Sequence, residues 1–329
     1  MAFADYDKIV LFGDSITEQS YDQARQVSTL KSDIGFREAD DSSCGSEDLD
    51  LVPLLQMSID EKLKWSAEDS GSFSATYEWD TGTDLIRDSR DTVSCSGYNT
   101  LHALELIPKI IPPPTATSRI RLITVFFGPN DATLPDRSQH VPLDQYSENL
   151  KRIINHPLLV AHSPRIILIT PPPICEYRTQ DSGLEKGILG IQRLAANTKK
   201  YADAALEVGK ALGIPTVNLW EAFMQYAGGW EEGSPLPGSK ELPRNEKLGE
   251  LLRDGLHFEP KGLVHHNLDW TVTTIWYPAN TLLRYRILYD LVLETIRENT
   301  PELDPENLEF VFPHHEKAPK SNFYTYGQA

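Results

Sequence analysis

Ile9-Val10-Leu11-Phe12-Gly13-Asp14-Ser15-Ile16-Thr17 runs four apolar residues into a Gly-Asp-Ser turn. A short apolar run that ends at a turn signal is the pattern of a buried parallel strand. Ile16-Thr17 reads as the opening of a helix, which puts Ser15 at a strand-to-helix junction. The same pattern recurs along the chain. Leu122 to Phe127, Ile166 to Ile169 and, more weakly, Thr216 to Leu219 read as further strands, and a fifth falls around Thr92 to Ser94. Helical patterns alternate with them at Asp144 to Ile154, Ile188 to Leu212 and Arg284 to Arg297. The first is followed by Asn155 and Pro157, and the second is stopped by Gly213 and Pro215. This alternation predicts an α/β fold, a three-layer sandwich around a central, mostly parallel five-stranded sheet. Ligands of such sheets bind beyond the carboxyl ends of the strands, so chemistry is expected just after each strand.

Composition narrows the partners. Forty-eight acidic residues against 31 basic ones leave a net charge of −17, which repels nucleic acid and anionic membrane surfaces and favours a small neutral or cationic substrate. The acidity is concentrated: Asp33 to Asp91 holds 16 acidic and 5 basic residues, and so carries −11 of the total. Its Asp40-Asp41-Ser42-Ser43 and Gly45-Ser46-Glu47-Asp48 runs offer little apolar surface to offset the entropy of ordering. The expectation is one domain over 1–329 with an acidic mobile insertion at about 27–91, holding at most a short helix near Leu51 to Leu63, and a second insertion at about 263–284. Cys44, Cys95 and Cys175 lie far apart, in neither a disulfide framework nor zinc-ligand spacing. Asp5, Asp7 and Lys8 precede the first apolar run, which is too short for a signal-peptide core or a membrane span. These features read as a soluble cytoplasmic protein with no membrane span; they leave the oligomeric state open.

Three motifs fall where chemistry is expected. Ser15 follows the first strand, where a serine serves as a nucleophile or, more modestly, as a helix cap. Gly128-Pro129-Asn130-Asp131 follows the Leu122 to Phe127 strand, and Asn130 there is either an oxyanion donor or a turn cap. In Asp254-Gly255-Leu256-His257, the aspartate three residues ahead can accept the Nδ1 proton and leave Nε2 as a general base. His257 alone of the nine histidines has an acidic residue at that offset, a spacing that chance also produces. His265-His266 and His314-His315 lack a third ligand, and adjacent residues point apart, so no metal is expected. Phe126-Phe127 reads as core packing before pocket lining, Ile111-Pro112-Pro113-Pro114 as a surface connection, and Pro171-Pro172-Pro173 as a rigid rim at the active edge.

Taken together, the Gly-Asp-Ser turn, Ser96-Gly97, Gly128-Pro129-Asn130-Asp131 and Asp254 to His257, in this order in an α/β chain, resemble the SGNH (GDSL) hydrolases. Leu11 to Thr17, Ser96-Gly97-Tyr98-Asn99-Thr100, Asn130-Asp131-Ala132 with Gln139 to Leu143, and Thr170 to Pro173 narrow the likeness to the isoamyl acetate-hydrolysing esterase group. The resemblance implies a flavodoxin-like strand order and a serine esterase without metal or organic cofactor. Ser15, Asp254 and His257 then form the triad, and the backbone N–H groups of Ser15 and Gly97 with the amide of Asn130 form the oxyanion hole. Small neutral esters, acetates of short or branched alcohols, are the implied substrates. Asp14 and Asp131 are expected as supporting carboxylates.

Two departures stand out. Ser15 and Gly97 are joined by a far longer stretch than in the resembled esterases, and Val93-Ser94-Cys95 replaces an Asn-Arg-Gly-Phe before Ser96-Gly97. After Lys261-Gly262, Leu263 to Leu283 intervenes before the last helix. These stretches are either lids or retained untranslated sequence. The alternatives to an acetate esterase are a deacetylase of sugar or other conjugates and a catalytically silent binding protein of the same fold.

Overall fold

The computed structural model describes residues 8–17, 86–87, 92–95, 97–115, 118–258, 283–305 and 307. The acidic stretch apart from 86–87, the short helix near Leu51 to Leu63, the second insertion up to 282 and both histidine pairs lie outside these residues.

Among the described residues six strands form the sheet: β1 (Lys8–Asp14), β2 (Ile86–Arg87), β3 (Thr92–Cys95), β4 (Ile120–Phe126), β5 (Arg165–Ile169) and β6 (Thr216–Val217), in the spatial order β2-β3-β1-β4-β5-β6. Every pairing is parallel except that of β2 with β3. Leaving β2 aside, the remaining five strands run second-first-third-fourth-fifth in chain order, the flavodoxin-like arrangement. The expected strand count of five is therefore corrected to six. β2 contributes only two residues, Ile86 and Arg87, opposite Ser94 and Val93, too few to show a hydrophobic period.

Alternation along the central strands divides their side chains between two cores. Phe12 and Val10 of β1 and Ile123 and Val125 of β4 face one layer, built by α1 (Thr100–Ile110), α2 (Leu143–Ile154), α3 (Pro157–His162) and α5 (Ala195–Leu212). Leu122 and Phe126 of β4 and Ile167 and Ile169 of β5 face the other, built by α6 (Leu219–Tyr226), α7 (Glu246–Leu251) and α8 (Leu283–Asn299). This is the expected three-layer sandwich. Phe127 packs edge-on against Phe12 at 4.9 Å while Phe126 enters the opposite core, so both rings are core residues, as the sequence indicates.

Two boundaries differ from expectation. The helix read from Ile188 begins only at Ala195, because Gly187 and Gly190 adopt φ of 73° and 82° and hold 187–194 as a loop. The strand read to Leu219 ends at Val217, where the Asn218 side chain accepts a hydrogen bond from Glu221 N and starts α6. Among the described helices, α4 (Glu176–Glu185), α1, α3 and α6 had no counterpart in the sequence reading; α4 buries only Glu176 and Gly183 and so carries no apolar stripe. Among the described residues no helix is long and apolar enough to cross a membrane.

Candidate active site

β1 pairs with β3 on one side and β4 on the other, so the residues that follow these three strands converge at one edge of the sheet. Ser15 follows β1, Gly97 follows β3, and Asn130 follows β4. Close approach at this edge demands glycine at position 13. A Cβ there would collide with the Thr17 side chain and come within 3.0 Å of the Phe126 carbonyl. Asp14 is fully buried; its Oδ1 accepts from Ile16 N at 3.0 Å and fixes the strand-to-helix turn that presents Ser15. Burial raises the Asp14 pKa to about 7 against the opposing pull of the Ile16 N–H and the charges of His257 and Arg193, and Asp131 adds to the rise.

His257 arrives from the other end of the chain. Its Nε2 lies 2.9 Å from Ser15 Oγ, and its Nδ1 lies 2.8 Å from Asp254 Oδ2. The other oxygen, Asp254 Oδ1, accepts from Leu256 N at 3.1 Å and His257 N at 2.9 Å. Burial works to raise the Asp254 pKa, but the His257 hydrogen bond and charge and the two backbone N–H groups outweigh it. The carboxyl is held well below the usual carboxylate range. An ionised carboxylate can only accept, so Nδ1 carries the imidazole proton and Nε2 presents its lone pair to the Ser15 hydroxyl, which donates.

The loop that carries Asp254 and His257 is docked on α4. Cys175 N donates to Gly255 O at 2.9 Å, and the Arg178 guanidinium donates to the carbonyls of Leu252 and Arg253 at 3.4 and 3.0 Å. Gly255 has φ of 88°, and a Cβ on it would stand 2.5 Å from the Cys175 carbonyl. Glu176, buried at the start of α4, accepts from Ala195 N at 2.8 Å and Lys240 N at 3.1 Å, and so ties this platform to the start of α5.

The turn after β3 is held by the loop after β4. Gln139 Nε2 donates to Gly97 O at 2.7 Å, Asn99 Nδ2 donates to Gln139 O at 2.9 Å, and Asn130 Nδ2 donates to Tyr98 O at 2.9 Å. Asp131 accepts from both the N–H and the hydroxyl of Thr100, at 3.0 and 2.5 Å, and so anchors the first residue of α1, whose cap is Asn99. Burial raises its pKa to about 6 against these Thr100 hydrogen bonds. Gly97 itself sits at φ 76°, a left-handed backbone that favours glycine.

The structure thus bonds Ser15, His257 and Asp254 directly and joins Asn130 to the Gly97 turn through Tyr98. Asp14 and Asp131 are supporting carboxylates, as read from the sequence. Arg193 escaped that reading. It donates to Pro129 O and, at 3.1 Å, to Asn130 Oδ1, and it is buried. The apolar spacing of Ile188, Ile191 and Leu194 disguised its loop as a helix. Gln139 was quoted for likeness alone; its role as a clamp has no sequence signal.

A doubly wound sheet with a hydrogen-bonded Ser-His-Asp relay at its carboxyl edge defines a hydrolase-type α/β protein. Residues 70–263 match the GDSL-like lipase/acylhydrolase family, and the chain belongs to that family. Similar proteins include the isoamyl acetate-hydrolyzing esterase 1 homolog of Rattus norvegicus, 35% identical over 170 residues that cover 51% of this chain and 61% of that protein. A GDSL esterase/lipase of Arabidopsis thaliana is 32% identical over 231 residues, covering 67% of this chain and 76% of that protein. The chain thus spans less than two thirds of the rat relative's length. Among solved structures, a lipase/acylhydrolase from Enterococcus faecalis is 21% identical, with a TM-score of 0.45 over 89% of this chain and 96% of that one. The recognised resemblance to GDSL hydrolases is borne out by the family match.

Proposed function

We propose that this protein is a serine esterase that hydrolyses small neutral carboxylic esters, acetates of short or branched alcohols, through an acyl-enzyme on Ser15. The observation that carries the reading is the relay from Ser15 Oγ through His257 to Asp254, with contacts of 2.9 and 2.8 Å. It also speaks against a silent binding protein, for which no such alignment is needed. The rat relative's name, an isoamyl acetate-hydrolyzing esterase homolog, supports the substrate class.

Ser15 Oγ attacks the ester carbonyl carbon as its proton passes to His257 Nε2, and the carbonyl π electrons move onto oxygen. Asp254 stabilises the imidazolium. The backbone N–H groups of Ser15 and Gly97 and the Asn130 amide receive the oxyanion. Collapse expels the alcohol, which takes the proton from His257 and leaves the acyl group on Ser15. Water then attacks this carbonyl as His257 takes its proton, and a second collapse releases the acid while His257 returns that proton to the Ser15 oxygen. The chemistry requires no metal or organic cofactor. In this reading the substrate is a small ester: the charge of −17 argues against nucleic acid, and the three scattered cysteines favour a cytoplasmic setting.

The test is hydrolysis of p-nitrophenyl acetate, propionate and octanoate by the purified chain beside Ser15→Ala. Turnover falling from acetate to octanoate, and lost in the variant, is expected. The reverse order points to a long-chain lipase or thioesterase. Preference for acetylated sugars over simple acetates points to a deacetylase, and no turnover of any ester returns the silent reading.

A further inference from the structure

We propose that Arg193 is the positioning residue of the oxyanion hole: its guanidinium fork holds Asn130 so that the amide nitrogen, not the oxygen, faces the reacting carbonyl. This inference rests on the role given to Asn130 above. The two ends of an asparagine amide are nearly alike in shape and opposite in hydrogen bonding, so a free side chain can present either. Arg193 removes the ambiguity because a guanidinium has donors and no acceptor. One of its arms donates to Asn130 Oδ1 at 3.1 Å, and the other to the carbonyl of Pro129, the preceding residue. With Oδ1 engaged, Nδ2 must lie on the opposite side, where one of its hydrogens meets Tyr98 O at 2.9 Å; the second is the hydrogen this proposal assigns to the oxyanion. The fork therefore fixes both the backbone at Pro129 and the orientation of the amide that follows it.

The surroundings fit a dedicated role. Arg193 is buried, with 8% of its surface exposed, in the electrostatic field of Asp14, Asp254 and Asp131. Burial lowers its pKa to about 10, against the opposing pull of those three carboxylates, so it stays charged at neutral pH. It stands two residues before α5, at the end of a loop that the positive φ of Gly187 and Gly190 keeps from continuing as helix. A helix through 188–194 would point its side chains along its own faces; the loop instead delivers one cation to the end of β4. Lysine cannot substitute, since a single ammonium lacks the planar fork that reaches two acceptors in fixed geometry.

The experiment measures kcat and KM on p-nitrophenyl acetate for wild type, Arg193→Lys, Arg193→Met, Asn130→Ala and the Arg193→Met/Asn130→Ala pair. Active serines are titrated with a fluorophosphonate so that kcat is expressed per competent site. Expected are a kcat about tenfold or more below wild type in both Arg193 variants, KM changed by less than about threefold, and a double variant no slower than Asn130→Ala alone, because a pinned amide and its pin act as a unit. Equal kcat per titrated serine in wild type and the Arg193 variants overturns the proposal, as does a double variant whose losses add. Absence of titratable serine in both Arg193 variants also overturns it, for then the residue serves only the fold. If Asn130→Ala alone leaves kcat unchanged while wild type turns over and Ser15→Ala does not, the oxyanion role of Asn130 has failed. A wild type without turnover instead overturns the esterase reading itself.

Discussion

At the residue scale, the relay sets what each side chain is worth. Ser15→Ala removes one hydroxyl and leaves the turn fixed by Asp14, so hydrolysis should vanish while the melting temperature moves by no more than a lost cap allows, about 1 kcal/mol. Retained turnover would sink the nucleophile assignment. Asn130→Ala should lower kcat by roughly 10² to 10³ with little change in KM, since its contribution grows as charge reaches the carbonyl oxygen; an unaltered kcat returns Asn130 to a turn cap. Asp14 makes a pH prediction. Its folded pKa of about 7 stands above the ordinary aspartate value of about 3.9, so the folded state keeps a proton that the unfolded chain gives up. Relative stability from this group is full below about pH 4 and lost as pH rises to about 7. Asp254 acts in the opposite sense: its stabilisation is present above about pH 4 and lost on strong acidification. Asp14→Asn keeps the acceptor for Ile16 N and removes the titration. The variant's melting temperature relative to wild type should therefore climb from pH 4 to 7 and level off above, whereas a difference independent of pH would refute the buried, late-ionising carboxyl.

At the element scale, the catalytic loop depends on α4, although α4 is the element that hydrophobic periodicity could least reveal. Gly255→Ala puts a Cβ against the Cys175 carbonyl at 2.5 Å in a backbone at φ 88°. Gly187 shares the positive φ, at 73°, but a Cβ there meets nothing within 4 Å. Gly187→Ala should thus cost only backbone strain, about 1 to 3 kcal/mol. Gly255→Ala should cost more and also depress kcat, because Asp254 and His257 flank it; thermal melts and turnover of the two variants, side by side, check this. If both variants melt alike and retain turnover, the docking of the loop on α4 is not what positions the relay. The same contrast shows what sequence can carry. β1, β4 and β5 announce themselves as short continuous apolar runs ending at turn signals, and α2 as an apolar stripe repeating every three to four residues. Ser15, Asp254 and His257 were legible as a candidate triad through the resemblance carried by the ordered motifs, since an Asp-x-x-His spacing by itself also arises by chance. The loop at 187–194, the two-residue β2 and the Gln139 and Arg193 contacts were not, since they are fixed by partners 40 residues or more away, as in Gln139 with Gly97 and Arg193 with Asn130, or by a backbone pairing too short to leave a pattern.

At the scale of the whole molecule, the charge and the connection between β1 and β3 belong to one question. These strands pair in parallel, Leu11 beside Thr92 through Asp14 beside Cys95, and a parallel pair needs a crossover of about a dozen residues. The chain instead spends all of 15–91 on the crossing, including the whole acidic stretch from Asp33 to Asp91. The described contacts that fix the relay and the Gly97 turn come from 14–15, 97–100, 128–141, 175–178, 193 and 252–257. From the length of this crossing and its polar, acidic composition we propose that one domain carries the activity and that about 27–91 is an insertion within it, of which 28–71 can be removed. Closing a shorter loop costs less entropy, but only about 0.6 kcal/mol for each halving, so joining Val27 to Ser72 should alter the melting temperature little. It should also reduce long-range self-repulsion, because the segment removed is strongly acidic. The shortened chain is expected to keep kcat and KM for p-nitrophenyl acetate within a few-fold of the full chain, with equal or higher soluble yield and a weaker dependence of stability on salt. Loss of turnover in a shortened chain that still melts cooperatively would mean that 28–71 helps to build the site, and the domain would then have to be drawn with that segment as part of its catalytic architecture.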